Sequence, residues 1–149
     1  MITRLSHATI YVLDQEKAKQ VYTERLGFEL DMDMTMDGGF RWLTVHSKTD
    51  PGLNLLLYGV GSPNLDPAMA AHVRAILEKD QGAAGVLETD DCQRTYEELR
   101  AKGIEFNSPP QQQFYGIEAT FKDGCGNWFS LTQRAAMPAG QAADGRQQG

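Results

Sequence analysis

The residues of this chain with the most chemical potential share a parity within strand-like runs. His7, Thr9 and Tyr11 alternate with Ala8, Ile10 and Val12, and Trp42, Thr44 and His46 alternate with Leu43 and Val45. Further on, Ala84, Val86 and Glu88 flank Leu87, Glu118, Thr120 and Lys122 alternate with Ile117, Ala119 and Phe121, and Trp128, Ser130 and Thr132 alternate with Phe129 and Leu131. Successive strand side chains point to opposite faces, so the apolar set of each run belongs against a core and the polar and aromatic set faces away from it. Three chemistries are open to that second set. His7 beside Glu118 in a partly dehydrated site would serve proton abstraction or a lyase step, the carboxylate acting as base or orienting the imidazole. His7 and His46 with Glu88 and Glu118 could chelate a divalent cation. Trp42 and Trp128 could sandwich a planar aromatic ligand, offset stacking adding about 0.5–1.5 kcal/mol per ring pair beyond area burial. For Lys122, His46 and Thr132, near strand ends, a solvated position is the competing reading. Cys92 and Cys125 stand alone, with no CxxC, and read as reduced, inert thiols.

The elements that must hold these side chains are legible from periodicity. Leu5 to Asp14 alternates as a half-buried strand. Asp14 then caps a helical run, QEKAKQVYTERLG, that ends at Gly27. A strand, FELDMDM, comes next, and FRWLTVHS and LNLLLYG form a hairpin about the turn at Thr49 to Gly52. The second half repeats the order: GVLETDD as strand, CQRTYEELRAKG as helix, IEF as strand, then YGIEATFKD and NWFSLTQ joined at Gly124-Cys125-Gly126. Asp14 precedes Gly27 by 13 positions and Asp90 precedes Gly103 by 13, an offset of 76 that marks a duplicated βαβββ module. Between the copies, Asp66 and Pro67 open a linker helix at its cap and first helical positions. The predicted division is module one at 1–60, linker helix at 61–82 and module two at 83–134, together one domain over 1–134, with an aperiodic Ala/Gly/Gln-rich tail at 135–149.

Composition narrows the partners. With 14 Lys+Arg against 20 Asp+Glu the formal charge is −6, and no basic run tracks a phosphate backbone, so nucleic acid and anionic membrane are not expected partners and small molecules are. A chain of this length buries roughly 68–70% of its unfolded surface, enough for a core without a metal or disulfide staple. The start, MITRLSHATIYVLD, lacks the apolar stretch of a signal peptide, and no segment approaches 18 apolar residues, so a cytoplasmic protein is expected.

The segments LSHATIYVLDQEKAKQVYTERLGFEL and YGIEATFKDGCGNWFSLTQ, the latter a strand, Asp-x-x-Gly-Asn, strand hairpin, resemble the vicinal-oxygen-chelate superfamily over about Ile2 to Gln133. That group holds glyoxalase I, extradiol dioxygenases and bleomycin-binding proteins. The resemblance implies an α+β fold of two tandem βαβββ modules, a curved-sheet cup with helices outside, in which His7 and Glu118 could meet. It also implies four inward metal ligands, of which only His7 is kept. Asn54 to Leu57 offers no carboxylate, Ala83 and Ala84 occupy the second-module His position, and Ser130 stands where the last Glu belongs. No cofactor is therefore expected; the rearranged set His7, His46, Glu88 and Glu118 is the route by which a divalent metal would return.

The expectation is a small-molecule-binding protein, a homodimer because the group completes its cups by pairing, with ligand contacts from Thr9, Tyr11, Trp42, Thr44, Glu88, Thr120, Trp128 and Ser130. Lyase, isomerase or dioxygenase-type chemistry through His7 and Glu118 stays open. The alternative is sequestration of a planar aromatic compound by Trp42 and Trp128 without turnover.

Overall fold

The computed structural model describes residues 1–136, so the predicted tail, apart from Ala135 and Ala136, lies outside the described residues. Three side-chain caps set the helices. Asp14 accepts from the Lys17 amide at the start of α1 (Gln15–Gln20), Asp66 from Met69 at α2 (Pro67–Leu77), and Asp91 from Arg94 at α3 (Cys92–Ala101). Around them run β1 (His7–Val12), β2 (Glu29–Thr35), β3 (Arg41–His46) and β4 (Asn54–Gly59), then β5 (Gly82–Glu88), β6 (Phe106–Gln113), β7 (Gly116–Lys122) and β8 (Asn127–Arg134). They form two four-stranded sheets, ordered β1-β4-β3-β2 and β5-β8-β7-β6. In each, the first strand pairs parallel to the last, the mark of a strand-helix crossover, and the other neighbours are antiparallel. The protein is thus an α+β fold of two βαβββ modules. No helix among the described residues is long and apolar enough to cross a membrane.

Four local details differ from the sequence expectation. The cap of α3 is Asp91, not Asp90, so the modules are offset by 77 positions at their caps but by 76 at the helix-ending glycines, Gly27 (φ +79°) and Gly103 (φ +87°). The extra residue of module one is taken up by a π-helical turn at Val21–Arg25 that continues α1. Such a turn is how a helix absorbs a one-residue insertion without rotating the segment beyond it. In β5 a bulge falls at Ala84, between the partners Ala83↔Trp128 and Gly85↔Phe129, which sends Ala84 to the core side and leaves Ala83 opposite Trp128. The short strand expected at IEF is the eight-residue β6, FNSPPQQQ. As an edge strand it tolerates Pro109 and Pro110, which sit within its register shifts. Finally, the strand expected from Tyr115 begins at Gly116 (φ +142°), where packing is close: a Cβ there would lie 2.0 Å from the Gln133 carbonyl oxygen.

The apolar parity of both sheets enters one core. Ile10, Val12, Leu43, Val45 and Leu57 of the first module join Ala119, Phe121, Phe129 and Leu131 of the second, with the helices contributing Val21, Tyr22 and Leu99. Tyr22 stitches the halves: its ring meets Phe129 (centroids 6.3 Å apart) and its hydroxyl donates to Asp123 at 2.7 Å. Asp123, only 1% exposed, also accepts from the Cys125 and Asn127 amides and from Asn127 Nδ2. Burial, then the Asp123 charge, raise the Tyr22 pKa well above its ordinary value, so it stays a phenol. Because the core faces of the two sheets are fused, their other faces turn outward, away from one another.

Candidate functional site

The outward face of the first sheet is an aromatic wall. Neighbouring strands aim their alternate side chains to the same side, and the resulting rings touch in sequence: His7 to Trp42 (5.5 Å between centroids), Trp42 to Phe40 (6.5 Å), Phe40 to Tyr58 (5.2 Å) and Tyr58 to Tyr11 (5.3 Å). Leu56 and Thr44, both buried, pair in register beneath them. The edge strand β2 adds Met32 opposite Thr44 and Met34 opposite Trp42, 44% and 48% exposed.

Several polar groups line this wall. Thr44 donates to Asp31 at 2.9 Å, a residue brought to the wall by a bulge in β2 between Leu30 and Met32. His46 donates from Nδ1 to the Ser47 carbonyl at 2.9 Å. Asn54 stands in register with both His7 and His46, and its Oδ1 is buried with no hydrogen-bond partner. His7 itself is exposed and shares a 3.0 Å hydrogen bond between Nδ1 and Ser6 Oγ. Thr9 lies on the same face, in register with Leu56.

The outward face of the second sheet is a wall of hydroxyls around one carboxylate. Glu118 accepts from the Tyr115 hydroxyl at 2.7 Å and from Ser130, and Ser130 shares a 2.8 Å bond with Thr132. The hydrogen bond to Glu118 raises the Tyr115 pKa. Thr120 and Ser108 share a 2.9 Å bond across β6 and β7. Trp128 stands in register with Lys122 on one side and Ala83 on the other. Glu88, at the end of β5, is exposed and pairs with Arg134 at 3.4 Å.

Two groups of predicted residues are therefore assembled, and the pairs that would cross between them are not. His7 and Glu118 lie on different sheets, each with other partners, and so do Trp42 and Trp128. The expected metal set is split two and two, His7 and His46 on one sheet, Glu88 and Glu118 on the other. Among the described residues no group of three or more His, Cys, Asp or Glu is placed to hold a metal ion. Within one chain the donors do not fit a divalent cation. Asp31, Phe40, Tyr58 and Asn54 are wall residues that sequence reasoning missed or left unplaced. Register with β3 carried the signal for Tyr58 and Asn54, whereas the bulge that turns Asp31 has no such mark. A cleft of about 500 Å³ also opens between the modules, on the core side, over Leu26, Phe28, Leu55, Leu99 and Leu131; of the predicted site residues it touches Glu88 alone.

Burial pushes both thiols up, Cys125 to about 12, and both lie within the shared core. They are packing residues.

Comparison with known proteins agrees with the geometry. The family model for the Glyoxalase/Bleomycin resistance protein/Dioxygenase superfamily matches residues 4–131. The protein YurT of Bacillus subtilis (strain 168) is 35% identical over 127 residues, covering 85% of this chain and 95% of YurT. The crystal structure of UcmS2 superposes with a TM-score of 0.84 at 46% identity, over 89% of this chain and 99% of UcmS2. The structure of TnmS3, an antibiotic binding protein from Streptomyces sp. CB03234, gives a TM-score of 0.72 at 29% identity, over 90% of this chain and 98% of that one.

Proposed function

Since the chain belongs to the Glyoxalase/Bleomycin resistance protein/Dioxygenase superfamily, whose name alone spans catalysis and binding, we propose that it binds and sequesters a planar aromatic small molecule without transforming it. The observation that carries this reading is the run of five touching rings from His7 to Tyr11 across one sheet face. Neighbouring rings are inclined 57–67° to one another, so the wall is faceted and mostly apolar, and a flat ligand would stack on one ring face and meet the edges of the next, gaining about 0.5–1.5 kcal/mol per ring pair beyond area burial. Acid-base chemistry lacks equal support, because His7 is bonded to a serine and Glu118 to two hydroxyls. The likeness to TnmS3, an antibiotic binding protein, favours binding over turnover for a chain of this fold.

Each wall faces outward, so a cup needs a second copy. We place the ligand in a homodimer, between the aromatic wall of one protomer and the hydroxyl wall of its partner, where Trp42 meets the partner's Trp128. No resident metal takes part in this reading, with Ser130 and Ala83 at the positions where the superfamily resemblance implies ligands. Titration with flat aromatic dyes, monitored by tryptophan emission, light scattering for dimer mass and mass spectrometry for products, tests it. Saturable binding by a dimer, weakened about 10- to 100-fold in Trp42→Ala with the dye recovered intact, is the expected result. Recovery of a converted dye, or unchanged affinity in Trp42→Ala, would overturn the reading.

A further inference from the structure

The polar groups of the two walls have an uneven balance of charge and hydrogen-bonding capacity. Asp31 and Glu118 stand at mid-strand positions, each held by wall hydroxyls: Asp31 by Thr44, Glu118 by Tyr115 and Ser130. A carboxylate that takes one or two hydroxyl bonds keeps lone pairs free for another donor. Asn54 Oδ1 is a buried acceptor with no donor at all. Against these, the Lys and Arg residues of wall parity among the described residues sit at strand ends and are engaged. Lys122 Nζ lies 3.4 Å from Glu105 and 3.6 Å from Asp80, and Arg134 lies 3.4 Å from Glu88. The whole chain carries a formal charge of −6. The walls thus offer aromatic faces, thioethers, hydroxyls and two carboxylates, and their cations among the described residues already face carboxylates.

We infer that the ligand is a planar aromatic cation, a fused-ring compound bearing a protonated amino or ring nitrogen whose N–H groups are taken by Asp31 and Glu118. The inference rests on the sequestration reading above and names the ligand class of the same site. Each part of the walls contributes to that selectivity. Ring faces attract a cation electrostatically as well as stacking on it. Met32 and Met34 extend the ring surface with polarizable, adaptable side chains that fit a flat edge. A charge-assisted N–H to carboxylate bond is roughly twice as strong as a neutral one, so the two acids discriminate against a neutral ring of the same shape. An anion is disfavoured, since the two carboxylates repel it and the wall cations among the described residues already face carboxylates.

Three tricyclic probes of like size separate the terms: proflavine, a cation at neutral pH, acridone, which is neutral, and anthraquinone sulfonate, an anion. Equilibrium dialysis on the purified full chain reads each Kd at low and at physiological salt. Proflavine should bind at least about tenfold tighter than acridone, with the margin shrinking in salt as exposed parts of the field are screened, and the sulfonate should bind weakest. In Glu118→Gln and in Asp31→Asn, each checked for a native melting temperature, the margin of proflavine over acridone should fall several-fold. Because both substitutions are nearly isosteric, two variants in different modules guard against a folding artefact in either. Acridone binding as tightly as proflavine, or a margin that survives both variants, overturns the charge inference while leaving sequestration standing. Failure of all three probes to bind overturns sequestration and the inference with it.

Discussion

Removing the hydroxyl of Tyr22 isolates one of the bonds that tie the two modules together, between residues 101 positions apart. Asp123 collects four donors, from the Tyr22 hydroxyl at 2.7 Å, the Cys125 amide at 2.7 Å, the Asn127 amide at 2.9 Å and Asn127 Nδ2 at 3.1 Å. Hydrogen bonds to a charged group are worth about 1.5–3 kcal/mol, and Tyr22→Phe removes one while leaving the carboxylate with three donors, so it should cost about that much. Asp123→Ala is a different case. It orphans the Tyr22 hydroxyl and the Cys125 and Asn127 amides in a region almost closed to water, while Asn127 Nδ2 keeps the Tyr11 carbonyl at 2.7 Å. At about 1–3 kcal/mol for each buried donor left unsatisfied, the sum is comparable with the whole stability of a domain, about 5–15 kcal/mol. Urea unfolding at neutral pH, monitored through Trp42 in one module and Trp128 in the other, measures both variants. The raised Tyr22 pKa adds a sign. Its contribution is fully present below about 10, the unfolded tyrosine value, and is lost as pH rises towards the folded value, a loss that Tyr22→Phe should lack. A Tyr22→Phe cost under about 0.5 kcal/mol, or an Asp123→Ala protein as stable as Tyr22→Phe, would refute the reasoning.

Two further outcomes concern perturbed groups away from the walls. Cys92 and Cys125 are 0% and 1% exposed with raised pKa values, so a thiol reagent at pH 8 should label neither in the native protein and both once urea unfolds it; fast native labelling would contradict the packing. The Arg41 guanidinium, with Lys19 beside it, holds the Asp33 carboxyl well below its usual range, so its contribution is present above about pH 4 and is lost as pH falls towards the folded value. Urea midpoints for wild type and Asp33→Asn should therefore differ by about 1 kcal/mol or more at pH 7 and by visibly less at pH 3, and a gap that widens in acid would reverse the sign.

Most of the fold was legible because it rests on local rules. Side-chain caps at Asp14 and Asp66, Pro67 at a first helical position, the paired glycines 27 and 103, and period-two alternation each act over a few residues, and each is found as read. The features that escaped depend on one-residue insertions. The π turn at Val21–Arg25 and the bulge at Ala84 leave no compositional mark; each is forced by a partner strand or core contact distant in sequence. The displaced cap, Asp91 in place of Asp90, shows the limit directly, since two adjacent aspartates are equivalent locally and contacts distant in sequence, the Cys92 amide to Gln133 Oε1 and its thiol to the Leu131 carbonyl, distinguish them. The length of β6 was hidden for the opposite reason, because its two prolines argue locally against a strand that an edge position permits.

Site membership and site assembly were legible to different degrees. Parity assigns His7, Trp42 and Thr44 to one outward face and Glu118, Ser130 and Trp128 to another, since alternation is a property of the strand alone. It says nothing about which faces meet. That is decided by the area each arrangement buries, and here the apolar faces win: joining Ile10, Val12, Leu43 and Val45 to Ala119, Phe121, Phe129 and Leu131 makes one continuous core, at about 25 cal/mol for each Å² withdrawn from water. The cost is that the two outward walls cannot face each other within a chain. It is visible as apolar surface left open on and beside them, Met32 at 44%, Met34 at 48% and Val86 at 65% exposed. A closed cup within one chain would need those core faces parted, so any meeting of His7 with Glu118 or of Trp42 with Trp128 would require the second copy proposed above.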